Sequence, residues 1–305
     1  MSDAPKSLAL LVFKGLLCGL VYVAATIFTN IAAAALHLQL PDLSPHGVSQ
    51  AAAVRAFAVA SALMGVALTP LAAGLRGKRL PRWLALAFLP FICMYVNAVI
   101  EILMFTTMLQ RHQTLPFIAS GILPALFFGG ALAFIAKREL HAPDFSRQLT
   151  DFFSTHSAPS YVWRLLLAIL AFPAAYLIFG MIVAPFVVPA YRAGIAGLIL
   201  PPLSTIMPMQ FLRSALFLLA SLPSLILWKG QRSSLIVSLG LAHWFFVGLF
   251  GLLQPGILPP ALRLAHSLEI GADSFAYAAA IVLLLAPRLP ATAPATHSAA
   301  PVFLS

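Results

Sequence analysis

Eight stretches of this chain are each apolar for about as long as a helix needs to be to cross the hydrocarbon core of a bilayer, roughly 20 residues. They are Gly15–Leu36, Ala53–Leu75, Leu84–Thr106, Leu115–Ala136, Leu165–Val187, Met207–Trp228, Ser234–Leu253 and Ser267–Leu285. The runs are continuous, without the inside/outside alternation of a membrane β-barrel strand, so the expected fold is all-α: a polytopic membrane protein of eight transmembrane helices. Composition agrees. Charged residues make up 9% of the chain and hydrophobic ones 61%, whereas soluble domains carry about 25% charged residues. A soluble enzyme, a disordered chain and a nucleic-acid-binding domain are thereby excluded.

The basic residues test the span count independently. With the N-terminus inside, the cytoplasmic segments hold 13 of the 18 lysines and arginines. The outer loops hold only Arg111, Arg192 and Arg263, and Arg55 and Arg213 fall within spans. This positive-inside asymmetry puts both termini in the cytoplasm and predicts a multi-pass protein of the plasma (inner) membrane. The net charge of +10 then needs no polyanionic partner. Lys6 and Lys14 precede a long apolar run with no small-residue cleavage site, so the first segment reads as a retained anchor. Cys18 and Cys93 both sit in apolar stretches and read as core thiols, not as a disulfide.

Four parts are expected along the chain. Residues 1–136 form a four-helix half and 164–289 a second one. Between them, residues 137–163 form a cytoplasmic loop that mixes charges with Phe145, Phe152 and Phe153 and suits a short interfacial helix. Residues 290–305, rich in Ala, Pro and Thr, read as a disordered tail. Two sets of four spans starting on the same side raise the prospect of a 4+4 parallel repeat. The second and sixth spans support it, each with an arginine near the outer end (Arg55, Arg213), an Ala-Ser pair mid-span and a basic turn at the inner end. The third and fourth spans show no convincing likeness to the seventh and eighth.

Ionisable residues inside a membrane are costly unless paired, and therefore mark functional or tightly paired sites. Placed by depth, Asn30, Arg55, Asn97, Glu101, Arg213, His266, Glu269 and Asp273 all fall in the outer half of the bundle. His266, Glu269 and Asp273 stand at i, i+3 and i+7 on one helix face. They could hold a cation, move protons or pair with an arginine, and the helix N-terminus favours carboxylates there in any case. A metal site would need a fourth ligand from elsewhere, for which Glu101 is only a candidate, so no metal is expected. Arg55 or Arg213 is the expected partner of the acids, since guanidinium matches carboxylate bidentately and keeps its charge. His243 lies mid-span in the seventh run, but no second histidine shares its depth, so no haem or other cofactor is expected.

Pro70, Pro90, Pro124, Pro173, Pro185 and Pro223 interrupt spans and permit kinks, and Gly15 and Gly19 form a GxxxG packing motif. No Walker A loop, dinucleotide fingerprint, HExxH or paired CxxC occurs. The expectation is an ATP-independent transporter or permease whose polar site is Arg55, Asn97, Glu101, Arg213, His266, Glu269 and Asp273. Its partners would be membrane lipids and a small solute, ion or lipid headgroup. A membrane-embedded enzyme acting on a lipid-linked substrate at the outer leaflet, and a non-catalytic assembly subunit, remain as alternatives.

Overall fold

The computed structural model describes residues 4–41, 48–135, 143–255 and 258–287. Among these every regular element is a helix, and two isolated β-bridges join loop residues. Eight helices are long and apolar enough to span a membrane, one for each apolar run. Helix α1 is Ala4–Ala35, α2 is Gln50–Gly74, α3 is Arg79–Pro90 and α4 is Asn97–Phe105. Next come α5, Thr114–Ser120, α6, Ile122–Ile135, α7, Phe145–Phe153, and α8, Ala158–Arg192. The last are α9, Leu203–Leu227, α10, Arg232–Trp244, α11, Phe250–Leu252, and α12, Pro260–Leu285.

Three spans are segmented. In the third, α3 and α4 are joined by a π-helical segment, Phe91–Val96, that begins directly after Pro90. In the fourth, α5 and α6 meet at Gly121. Pro124 lies four residues past Ser120, so its ring crowds the Ser120 carbonyl and the missing N–H leaves that carbonyl without its helical donor. The seventh span carries a π-helical segment, Phe245–Leu249, between α10 and α11. Pro70, Pro173, Pro185 and Pro223 stay inside unbroken helices. Helix α8 exceeds the span read from hydropathy at both ends, because its hydrogen-bond ladder continues through the more polar Trp163, Arg164 and Arg192.

The helices pack in a fixed pattern. Helix α1 lies against α2 and α6, and α8 lies against α9 and α12. Helix α3 packs on α6, and α10 on α12. The two halves join crosswise, α2 against α10 and α3 against α9. At one end Leu75 and Trp228 form an antiparallel bridge, and Arg76 N–H donates to the Leu227 carbonyl at 2.9 Å. At the opposite end Thr106 bridges Leu198, and Ile199 N–H donates to the Phe105 carbonyl at 2.8 Å.

The half nearer the Leu75–Trp228 bridge is solidly packed. Leu71, Leu86, Phe128, Leu132, Leu227, Leu239, Ile281 and Leu285 are all buried there. Arg164 and Arg232 donate to the carbonyls of Leu284 and Ala286, satisfying the end of α12. The loop expected to hold an interfacial helix supplies α7. It presses Phe152 into this end, where the Tyr161 hydroxyl donates to the Phe152 carbonyl, while Phe153 stays exposed. The outward faces of the spans are apolar, with Phe28, Ile31, Phe134, Met181, Phe186 and Leu268 all exposed, as lipid contact requires. The tail read as disordered lies outside the described residues.

Helices α1 and α2 touch backbone to backbone. A Cβ on Gly19 would fall 2.4 Å from the Ser61 carbonyl oxygen, and one on Gly65 only 2.1 Å from that of Gly15. Small residues thus set this interface. We expect Gly19→Leu to lower stability by about 1–3 kcal/mol or more, the cost of overpacking. Gly251→Ala, with open space around it, should be nearly neutral. Thermal unfolding of the two variants in one detergent compares them directly.

Candidate functional site

Helix α9 carries Gln210 and Arg213 one turn apart, and α4 carries Asn97 and Glu101 one turn apart. The crossing of these helices brings the four side chains together. Arg213 donates through Nε to Asn97 Oδ1 at 2.8 Å and through Nη1 to Gln210 Oε1 at 2.8 Å. Its Nη2 forms an ion pair with Glu101 Oε1. The guanidinium also lies over the rings of Phe172 at 5.2 Å and Phe217 at 5.7 Å. Arg213 is 3% exposed, so a cation of fixed charge is held in a low-dielectric interior by directed acceptors and two π faces.

A second group comes from α12. His266 Nδ1 lies 3.1 Å from Glu269 Oε2, and its Nε2 lies 3.3 Å from the Tyr191 hydroxyl of α8. One turn deeper, Asp273 is 4% exposed, and its Oδ1 has no hydrogen-bond partner among the described residues.

Both groups face one cavity of about 870 Å³ in the half away from the Leu75–Trp228 bridge. All eight spans contribute to its wall, for example through Tyr22, Phe57, Glu101, Phe117, Tyr176, Arg213, Phe246 and Asp273. Within it three carboxylates, Glu101, Glu269 and Asp273, face one guanidinium, Arg213. Most of the rest is aromatic or aliphatic, the mixture of many apolar walls and few directed polar groups that ligand cavities have. The Tyr22 and Tyr95 hydroxyls bond at 2.7 Å across α1 and the third span, bracing one side.

Of the seven residues expected to form the site, six assemble. Glu101, Arg213, His266, Glu269 and Asp273 line the cavity, and Asn97 sits just behind it as an acceptor for Arg213. Arg55 does not join them. It is exposed on α2 and has no acidic partner among the described residues, because α2 directs that face away from the cavity. Between the two arginines considered as partners of the acids, the ion pair is made by Arg213. Asn30 lies at the cavity's edge. His243 accepts or donates a 2.8 Å bond with Ser221 and packs on Phe217 and Tyr277, a bonded core histidine beneath the cavity. No group of three metal-ligand side chains converges among the described residues. Gln210, Tyr176 and Tyr191 escaped sequence reasoning. For Gln210 the signal was its i, i+3 spacing to Arg213; the tyrosines carry no local signal.

Compared with known proteins, the chain matches no family model, no curated protein and no solved structure.

Truncating Arg213 leaves Glu101 and two amides without their shared donor. Arg213→Met is therefore expected to cost about 3–5 kcal/mol, and adding Glu101→Gln should recover part of that loss. Arg55→Ala, at an exposed position, should change stability by less than about 0.5 kcal/mol. A double-mutant cycle on denaturation in mild detergent reads all of these.

Proposed function

We propose that this integral membrane protein is an ATP-independent transporter that binds a small solute in the cavity between its halves. The observation carrying this reading is the contrast between the two ends of the bundle. One holds a cavity floored by buried charge; the other is filled by apolar packing and closed by the Leu75–Trp228 bridge. Alternating access needs that asymmetry and a means of inverting it. The positive-inside distribution makes the cavity end the outer face and leaves the termini in the cytoplasm of a cell's plasma membrane.

A 4+4 parallel repeat would supply the means, and several landmarks support one. Helices α2 and α9 each have 25 residues, with Pro70 and Pro223 at equivalent positions. Both end in an extended residue, Leu75 or Trp228, and these two residues bridge one another. Each is followed by a basic glycine turn, Arg76-Gly77-Lys78-Arg79 or Lys229-Gly230-Gln231-Arg232. The next span in each half then carries a π-helical segment that begins 12 or 13 residues after the span's first residue, at Phe91–Val96 and Phe245–Leu249. The packing pattern, too, maps onto itself when the first four spans are exchanged for the last four. In this register Arg213 matches Ala60, not Arg55, so the site belongs to one half of the repeat. The two π-helical segments meet beside the cavity, and such segments often mark functional bends.

The alternative of an enzyme acting on a lipid-linked substrate rests on the Tyr191–His266–Glu269 chain, which has acid–base character. Accessibility separates the two. In a background with Cys18 and Cys93 replaced, Asn30→Cys at the cavity edge should react with an impermeant thiol reagent from the outer side. Ser224→Cys, fully buried in the packed half, should react from the opposite side. A disulfide installed at the Leu75–Trp228 bridge should abolish the second reaction and spare the first. If Ser224→Cys stays inert with the bridge free, the transport reading fails.

A further inference from the structure

We infer that the cavity's ligand is an amphiphilic amine, a lone ammonium on an apolar tail, that reaches the site sideways from the membrane between α8 and α12. The inference rests on the binding cavity proposed above and names what it takes. Charge is the first argument. Arg213 is already engaged through all three of its nitrogens, by Asn97, Gln210 and Glu101. The surplus is acidic. Among the described residues the imidazole of His266 is the one hydrogen-bond partner of Glu269, and Asp273 presents a carboxylate oxygen that is buried, faces the cavity and has no partner. An unpaired buried carboxylate is costly, and an ammonium with three donors meets that need. The saturated Arg213 is the only arginine or lysine among the described lining residues, which argues against an anion or a zwitterionic phospholipid headgroup.

Shape is the second argument. A separate apolar groove of about 540 Å³ runs along the outer faces of α8 and α12. Its wall includes Ile182, Phe186, Leu264 and Leu268, all exposed, and Glu269 is the one charged residue in it among the described residues. Glu269 also lines the main cavity, so a single carboxylate is shared by both. At the junction stands Gly180, where an added Cβ would lie 3.4 Å from Glu269 Oε1 and nothing else crowds it. An alkyl chain in the groove would place its head at Glu269, and Asp273, one helical turn along the same face, would receive the ammonium inside. The rings of Phe172, Tyr176 and Phe246 in the cavity wall suit both the cation and the apolar body.

The test uses full-length protein in phosphatidylcholine nanodiscs, with decylammonium as probe and decanoate and decanol as matched controls, read by saturable shift of the unfolding temperature. Decylammonium should bind at least about tenfold more tightly than either control, and Asp273→Asn and Glu269→Gln should each weaken it by about tenfold or more. Asp273→Glu, which keeps the charge, should retain binding, separating charge recognition from misfolding. Surface plasmon resonance on immobilised nanodiscs reads the rate: Ala272→Trp, filling the groove, should slow decylammonium association more than it changes affinity, and an unchanged association rate overturns the sideways route. Equal binding of decanoate or decanol overturns the inference, as does amine affinity indifferent to both Asp273→Asn and Glu269→Gln. Displacement of the amine by phosphatidylethanolamine in the nanodisc would assign the site to a lipid headgroup and overturn the free-amine reading. These outcomes are independent of the thiol-labelling experiment: alternating labelling without amine binding would leave transport standing and remove only this ligand.

Discussion

A guanidinium held inside a membrane protein organises this molecule. Arg213 cannot shed its charge, and an isolated cation in hydrocarbon costs several kcal/mol. The fold answers by crossing α9 against α4 so that Asn97, Gln210 and Glu101 each accept one of its hydrogen bonds, with Phe172 of α8 and Phe217 of α9 beneath it. Because its partners belong to the third and sixth spans, the residue also ties the N-terminal half to the C-terminal half. The cavity exists beside this tie, since side chains that must surround a charge cannot also fill the space next to it with close-packed hydrocarbon.

The opposite half follows a different logic. Helices there approach closely wherever the sequence offers small residues, as Gly15, Gly19 and Gly65 do between α1 and α2, and leucines and phenylalanines fill the remainder. Polar groups in this half satisfy one another locally: His243 with Ser221, Arg164 and Arg232 with the last carbonyls of α12. The Ser224 hydroxyl, fully buried in the same half, has no hydrogen-bond partner among the described residues, and apolar side chains close the packing around it. The π-helical segments of the third and seventh spans lie at the boundary between this packed half and the cavity, where a change of helical register would be least costly.

Electrostatic balance in the cavity sets its chemistry. One arginine is matched to one acid, a second acid is buffered by an imidazole, and a third is left over. The third acid, Asp273, faces the cavity with its Oδ1 unpartnered among the described residues. Meanwhile Glu269 lines both the cavity and the apolar groove on the outer faces of α8 and α12.

Much of this was legible in the sequence. Eight apolar runs became eight spanning helices because backbone groups have no other way to be satisfied in lipid. The concentration of polar residues toward one end of the bundle was equally plain, since depth follows from counting along a helix. What counting cannot supply is rotation. Arg55 and Arg213 look alike in sequence, each an arginine near the same end of a span, yet one faces outward on α2 while the other is buried at a helix crossing. Nor did sequence show which acid Arg213 would choose, that Gln210 would join it, or that Tyr191 of α8 would reach His266. Length and polarity are one-dimensional properties and fix the number and depth of the helices. Which faces meet depends on contacts between residues far apart in the chain, 75 positions for Tyr191 and His266 and 112 for Glu101 and Arg213, and those only tertiary packing decides.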